Sequence, residues 1–71
     1  MNIEMIKNKV DLCRGKKLEF RFNGARNQIE EFDGIIIDTY PSIFIVKLIE
    51  KESIKSFSYS DILIHKLIIK E

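Results

Sequence analysis

The sequence is poor in the residues that carry covalent and metal-dependent chemistry. Its 71 residues include one cysteine, one histidine, one proline, three glycines and no tryptophan. Cys13 alone cannot form an internal disulfide, and no other cysteine or histidine lies near it in the sequence. His65 also lacks a companion ligand or carboxylate at a usable spacing, so we expect it on a strand face or in contact with a partner. The widely separated glycines form no phosphate-binding loop. We therefore expect no cofactor, no metal and no enzymatic activity.

Long apolar runs are missing as well. The longest stretch without charge covers residues 39–46, far shorter than the roughly 20 residues of a membrane-spanning helix. Residues 1–10 interleave charged and apolar side chains, unlike the core of a signal peptide. With the single cysteine, these features predict a cytoplasmic protein with no membrane partner. The length predicts one domain over residues 1–71.

The first apolar pattern has helical spacing. Apolar residues recur every three or four positions, which places them on one helical face: Ile3, Ile6, Val10 and Cys13. Asn2 is a suitable N-cap, and Gly15 is a suitable stop signal. The pattern predicts a helix over about residues 3–13.

After Gly15 the apolar residues alternate with polar ones, which is typical of strands. Asn23-Gly24 predicts a hairpin turn, and Gly34 predicts a bulge or sharp bend within the second strand. "YSD", residues 59–61, reads as a tight turn or one 3₁₀ step. The pattern predicts a mainly β fold, a five-stranded SH3-like or Sm-like antiparallel barrel over about residues 16–70 behind one N-terminal helix. Its predicted strands are residues 16–22, 28–39, 42–49, 54–60 and 62–70.

Positive charge is concentrated in residues 7–26, which contain seven basic and two acidic residues. The remainder of the chain from residue 27 is net acidic. Such asymmetry can mark a polyanion-binding surface, and it is also typical of a solvated helix and a lysine-protected edge strand, the interpretation that we favour. The alternation turns Phe20 and Phe22 inward, which leaves no aromatic platform for stacking bases. The candidate partner-binding or polyanion-binding residues in this part are Arg14, Lys16, Lys17, Arg21 and Arg26.

A polar segment, residues 38–42, separates two isoleucine-rich runs. Pro41 is the only proline, and it holds Tyr40 extended. The Tyr40 hydroxyl could close a hydrogen bond across the fold, or its ring could be a surface for recognition. Both interpretations stay open, and Tyr40 joins the candidate site. Glu31 and Asp33 share a strand face, which favours a solvated surface over a cation site.

Three segments together resemble the Veg family, small cytoplasmic proteins of Firmicutes and their relatives. They are "GKKLEFRFNGAR" (residues 15–26), "GIIIDTYPSIFIVKL" (34–48) and "FSYSDIL" (57–63). The resemblance implies an SH3-like barrel, no catalytic activity, stimulation of biofilm formation and regulation of transcription. One departure concerns the turn after Asn23-Gly24, where the family has two or three successive basic residues and this chain has only Arg26.

Residue chemistry and resemblance together predict a non-enzymatic regulatory protein that acts through a macromolecular partner. A protein partner is favoured, and direct RNA or DNA binding through the basic helix and first strand is the alternative. Self-association as a homodimer through an edge strand is a further expectation, because the chain has more isoleucines than a small core buries. These isoleucines are Ile43, Ile45, Ile49, Ile64 and Ile68.

Overall fold

The structure, a computed structural model, describes residues 2–24 and 28–70. Two helices and five strands follow one another along these described residues. They are α1 (Ile3–Leu12), β1 (Lys17–Asn23), β2 (Ile29–Thr39), β3 (Ile43–Leu48), β4 (Ile54–Ser58), α2 (Tyr59–Leu63) and β5 (Leu67–Lys70). The mainly β prediction is confirmed, and the predicted bounds of α1 are correct to within one residue.

Helix α1 begins and ends at the residues that its sequence favours. The Asn2 side chain accepts a hydrogen bond from the Met5 amide at 2.9 Å, as an N-cap does. Gly15 ends the helical segment with a φ of 86°, a conformation that a side chain would strain. The Gly15 amide then donates to the Ile36 carbonyl at 2.9 Å. This contact joins the end of α1 to the middle of the sheet.

The five strands form one antiparallel sheet in the order β4-β3-β2-β1-β5. Among the described residues β4 and β5 pair on one side only, so the sheet is open. It is nevertheless strongly curled, since Phe22 of β1 and Phe57 of β4 have ring centroids 5.4 Å apart across two intervening strands. The predicted closed SH3-like or Sm-like barrel is therefore not confirmed.

Strand β2 is the centre of the sheet and changes partner along its length. Its first part pairs with β1 as far as Ile35, and its second part pairs with β3 from Gly34 onward. The predicted bend was placed at Gly34, but the register shift lies between Ile36 and Asp38. Gly34 has a different role, because a Cβ there would lie 2.6 Å from Val46 Cγ1 and 3.2 Å from Phe20 Cε1. The glycine allows the two neighbouring strands to pack closely over it.

The core lies on the inner face of the curled sheet, under α1. Phe20, Ile36, Phe44 and Val46 are each at most 2% exposed. Rings from β1, β2 and β4 pack in series, with Phe20 stacked on Phe32 and Phe32 stacked on Phe57. The prediction that Phe20 and Phe22 point inward is correct, since Phe20 is buried and Phe22 packs against the core.

Helix α2 replaces the predicted end of the fourth strand and the start of the fifth. Ser58 caps it, because its Oγ accepts from the Asp61 amide at 3.3 Å while Asp61 Oδ2 accepts from the Ser58 amide at 3.5 Å. This reciprocal capping box favours a helical turn over a continued strand. The prediction of a single helix is therefore wrong. His65 lies in the following turn with a φ of 61° and not on a strand face as predicted.

Candidate functional site

The corner between β2 and β3 brings the most distinctive polar residues of the chain together. Strand β2 ends at Thr39 and β3 begins at Ile43, and the Tyr40 amide donates to the Ile43 carbonyl at 2.8 Å. Pro41 follows and restricts Tyr40 to an extended conformation. The Tyr40 side chain is 48% exposed. Of the two interpretations of Tyr40, the structure therefore supports the exposed ring.

A second tyrosine supplies the hydrogen bond that closes this corner. Tyr59 is 1% exposed, and its hydroxyl donates to the backbone carbonyl of Tyr40 at 2.7 Å. The Tyr59 amide also donates to the Ser42 carbonyl at 3.3 Å. Burial raises the pKa of the Tyr59 hydroxyl, and the negative charge of Asp11 raises it further. The first residue of α2 thus fixes both ends of the corner, and its hydroxyl stays protonated.

Two charged groups flank the exposed ring. The Tyr40 hydroxyl donates to Asp38 Oδ2 at 3.4 Å, and Arg14 Nη2 lies 3.9 Å from Asp38 Oδ1. Both charged side chains are about half exposed, so the ion pair itself contributes little to stability. We call Arg14, Asp38 and Tyr40 the Tyr40 surface. It joins the end of α1 to the end of β2.

The other candidate basic residues that the structure describes form no hydrogen bond or ion pair with Asp38 or Tyr40 within residues 2–24 and 28–70. Lys17 and Arg21 are on the outer face of β1, opposite Ile35 and Glu31 in the register of β2. Lys16 is exposed in the turn before β1. Arg26 lies outside the described residues. Of the five candidate site residues that the structure describes, Arg14 and Tyr40 are joined through their contacts with Asp38.

Acidic residues interrupt the positive charge on the outer face of the sheet. Glu19 lies between Lys17 and Arg21 on β1, and Asp33 lies directly opposite Glu19 on β2. Arg21 Nε also lies 4.0 Å from Glu31 Oε1. The face is of mixed charge, as the solvated-surface interpretation of Glu31 and Asp33 requires. No group of three metal-ligating side chains is found within the described ranges.

An apolar groove of about 550 Å³ runs between α1 and β5. Ile6 and Val10 of α1 form one wall, and Leu67 and Ile69 of β5 form the other. Lys9 and His65 are the charged or titratable residues along it. Sequence reasoning missed this groove, because its walls are far apart in the chain.

Sequence reasoning also missed the role of Tyr59. The signal that was present is the Ser58-x-x-Asp61 spacing, which is typical of a helix N-terminus. A helix beginning at Tyr59 turns its ring off the strand face and toward the β2–β3 corner. Residue spacing alone does not indicate which carbonyl accepts the hydrogen bond of the Tyr59 hydroxyl.

Comparison with known proteins identifies the family. A family model described as "Biofilm formation stimulator VEG" matches residues 1–70. No curated protein matches the chain. Neither helix in the described part of the chain is long and apolar enough to cross a membrane. The match covers nearly the whole sequence, so the chain belongs to the VEG family, and the resemblance seen in its motifs is confirmed.

Proposed function

We propose that this member of the VEG family stimulates biofilm formation as a non-enzymatic regulatory protein. In this proposal it acts in the cytoplasm, binds another protein through the Tyr40 surface, and thereby changes transcription. The observation that carries the proposal is a half-exposed tyrosine ring held on a fixed backbone beside an arginine and an aspartate.

The fixed backbone matters because ordering a loop on binding costs affinity. Pro41 restricts the corner, and Tyr59 anchors the Tyr40 carbonyl from beneath at 2.7 Å. The ring therefore reaches solvent from a corner that is already ordered. A surface of this kind binds without first losing backbone freedom.

The side chains of this surface suit a protein partner. Tyrosine and arginine are enriched among the residues that dominate binding energy at protein interfaces. Ile37 and Ile43, in the strands on either side of the corner, are 40% and 38% exposed and add apolar area. An aromatic ring with apolar neighbours and charges of both signs can meet a partner that has an apolar patch and polar groups around it.

The alternative, direct RNA or DNA binding, has weaker support. Nucleic-acid surfaces combine continuous positive charge with exposed aromatic rings. Here Arg14 and Arg21 each lie within 4.0 Å of a carboxylate, and the rings of β1 point inward. Lys16 and Lys17 remain exposed and could contact phosphate, which would give binding that weakens steeply with salt.

The test uses biofilm-forming cells whose own copy of the gene has been deleted. They receive the wild-type chain, a Tyr40→Ala variant or an Ile29→Ala variant at equal protein levels. Ile29 is a matched control because it is 49% exposed and lies at the opposite end of β2. We expect Tyr40→Ala to lose most biofilm stimulation and the transcript changes, while Ile29→Ala retains both. Full activity of Tyr40→Ala would contradict the proposal.

The class of partner is tested with a photo-cross-linking amino acid at position 40 or, as a control, at position 29. A protease-sensitive adduct formed only from position 40 supports a protein partner. A nuclease-sensitive adduct supports the alternative instead. Fluorescence anisotropy with labelled RNA and DNA at low and near-physiological salt gives an independent measure, and salt-sensitive binding there would favour nucleic acid.

A further inference from the structure

The apolar groove between α1 and β5 runs along an edge of the sheet. Leu67, Ile68 and Ile69 all line it, although successive residues of a strand point to opposite faces. A groove that all three residues line must therefore follow the side of the strand and not only one of its faces. Within residues 2–24 and 28–70, β5 pairs only with β1, so no other described strand lies along this side.

The backbone of β5 points toward this side at alternate residues. The Asn23 amide donates to the Lys66 carbonyl at 2.8 Å, and these two residues continue the β1–β5 register. In an antiparallel ladder every second pair exchanges hydrogen bonds, so Ile68 also bonds to β1. Leu67 and Ile69 fall between these pairs, and their N–H and C=O groups point away from β1. Among the described residues neither has a backbone hydrogen bond to another element, so both can pair with an added strand.

The space beside this edge suits the side chains of an added strand. Such a strand would lie about 4.8 Å from β5, and its residues opposite Leu67 and Ile69 would turn to the same inner face. That face opens into the groove, whose volume of about 550 Å³ is within the range of protein ligand pockets. Met5 of α1 lines the groove and is 59% exposed. A flexible methionine adapts its packing to different apolar side chains.

The groove has positive charge near the start of β5. Lys9 of α1 lines it, and His65 and Lys66 are exposed where the chain passes from α2 into β5. The acidic residues of α1 are Glu4 and Asp11, and helical spacing places both on the side of the helix away from Lys9. Neither of them lines the groove. A carboxylate of a bound segment would therefore be attracted to Lys9.

The other carboxylates near β5 do not change this charge distribution. Asp61 accepts from the Ser58 amide in the capping box of α2. Glu19 lies directly opposite Lys70 at the end of β5, and Glu71 is next to Lys70 in the sequence. Charge is therefore balanced at the end of β5 and positive at its start.

We propose that an extended segment of a partner protein adds to the sheet beside β5, with apolar side chains at alternate positions in the groove and a carboxylate near Lys9. In such strand addition the backbone hydrogen bonds give affinity, and the pockets for alternate side chains give specificity. The two edge strands of this chain, β4 and β5, contain lysine but no carboxylate, so neither has the required composition. The groove shares no residue with the Tyr40 surface, and this inference does not depend on that surface.

The probe is a library of short random peptides displayed on phage and selected against the full-length chain. We expect the enriched peptides to alternate apolar residues and to have an aspartate or glutamate at one end of that pattern. One enriched peptide, labelled with fluorescein, then gives dissociation constants by fluorescence anisotropy.

A charge reversal in the groove tests the carboxylate contact. Lys9→Glu should weaken binding of the labelled peptide about tenfold, because it replaces an exposed attraction with a repulsion of similar size. Lys51→Glu is the matched control, since Lys51 is exposed in the turn before β4, at the other edge of the sheet. It should bind the peptide as the wild type does. Circular dichroism confirms that both variants fold.

Amide hydrogen exchange, measured by NMR, tests the strand pairing. In the free chain the Leu67 and Ile69 amides should exchange faster than the Ile68 amide, which bonds to β1. The bound peptide should slow exchange at Leu67 and Ile69 and leave the amides of β4 unchanged. The same peptide with N-methyl groups on the amides that donate to β5 should bind about tenfold more weakly or worse, because those donors are lost.

Four results would overturn the proposal. The selection enriches no binding peptide, or an enriched peptide binds Lys9→Glu as tightly as the wild type. Protection of the Leu67 and Ile69 amides that rises with protein concentration in the absence of peptide would indicate a second copy at this edge. Laurate that shifts the methyl signals of these two residues, where no enriched peptide does, would indicate a site for small amphiphiles. Each result leaves the role of Tyr40 to its own cross-linking experiment.

Discussion

The two faces of the curled sheet differ in how much change they can accept. On the inner face, Ile36, Phe44 and Val46 are fully buried, so an added methyl group must displace neighbouring atoms. On the outer face, the Arg21 and Glu31 side chains lie opposite each other and are 43% and 73% exposed, and Ile54 is mostly exposed. The difference indicates that the inner face determines the fold, while the outer face and its corners are available for binding. Tyr59 connects the two, because it packs inside and anchors the exposed Tyr40.

The largest expected effect comes from filling the space above Gly34. Gly34→Val adds a side chain on the inner face, where the first added atom already lies 2.6 Å from Val46. We expect a loss of about 3 kcal/mol or more in the free energy of unfolding, the upper part of the range for overpacked cores. Urea titration measures it. Ser56→Val is the control, because it adds the same residue on the exposed outer face of β4, and an equal loss in both variants would contradict the difference between the faces.

A smaller difference in the free energy of unfolding is expected when the hydroxyl of one tyrosine or the other is removed. Tyr59→Phe removes the hydroxyl that donates to the Tyr40 carbonyl and should lower the free energy of unfolding by about 1 kcal/mol. Tyr40→Phe removes a hydroxyl that is exposed to solvent, so the change should stay within about 0.5 kcal/mol. Thermal and urea unfolding of both variants measure the difference. Equal losses would mean that the buried hydrogen bond does not stabilise the corner.

Alkaline pH should lower the stability of the protein by ionising the buried Tyr59. The folded-state pKa of Tyr59 is raised above its ordinary value of 10.0, mainly by burial. A raised pKa gives a stability contribution that is complete below pH 10.0 and is lost as pH rises through the folded-state pKa. The wild type should therefore lose more stability above this pH than Tyr59→Phe does. In Tyr40→Phe, Tyr59 is the sole tyrosine, and the midpoint of its tyrosinate absorbance titration should lie above pH 10.0. A midpoint at or below this pH would contradict the expectation.

The smallest effect concerns an ion pair at the rim where the inner face meets solvent. Lys55 Nζ donates to Glu30 Oε2 at 2.9 Å, and this hydrogen bond holds the pKa of Glu30 below its ordinary 4.5. A lowered pKa gives a contribution that is present above pH 4.5 and is lost as pH falls through the folded-state pKa. Glu30→Gln should therefore melt slightly below the wild type at neutral pH and together with it in acid. Glu50→Gln is the control, and the same shift in that variant would show that the effect is not due to Lys55.

Much of the fold follows from local patterns in the sequence. The N-cap at Asn2 and the stop at Gly15 determine α1, and strict alternation determines β1. The errors occur where local signals compete. The residues after Phe57 alternate like a strand, yet the capping box of Ser58 and Asp61 favours a helix. The sequence also does not predict that the sheet is open. Closure would require β4 to pair with β5, and this depends on the direction in which the chain leaves α2.

The site was less predictable than the fold. Pro41 indicates a corner, and an exposed tyrosine was one of two interpretations for Tyr40. Arg14 lies close to Asp38 because the end of α1 packs against the end of β2. The spacing of residues in the sequence does not predict this packing. Their order in the chain groups the basic residues, whereas the sheet places Glu31 and Asp33 beside them on the neighbouring strand.

The pairing of β5 with β1 also affects the order in which the strands assemble during folding. Hairpins join β1 to β2, β2 to β3 and β3 to β4, each between strands that are neighbours in the sequence. Only β5 pairs across the whole chain, from Leu67 back to Phe22, so it closes the longest loop. We expect the four strands that are neighbours in the sequence to associate first and β5 to dock last. Until then the outer edge of β1 is open, and its alternating lysine, glutamate and arginine keep partly folded chains from pairing with one another.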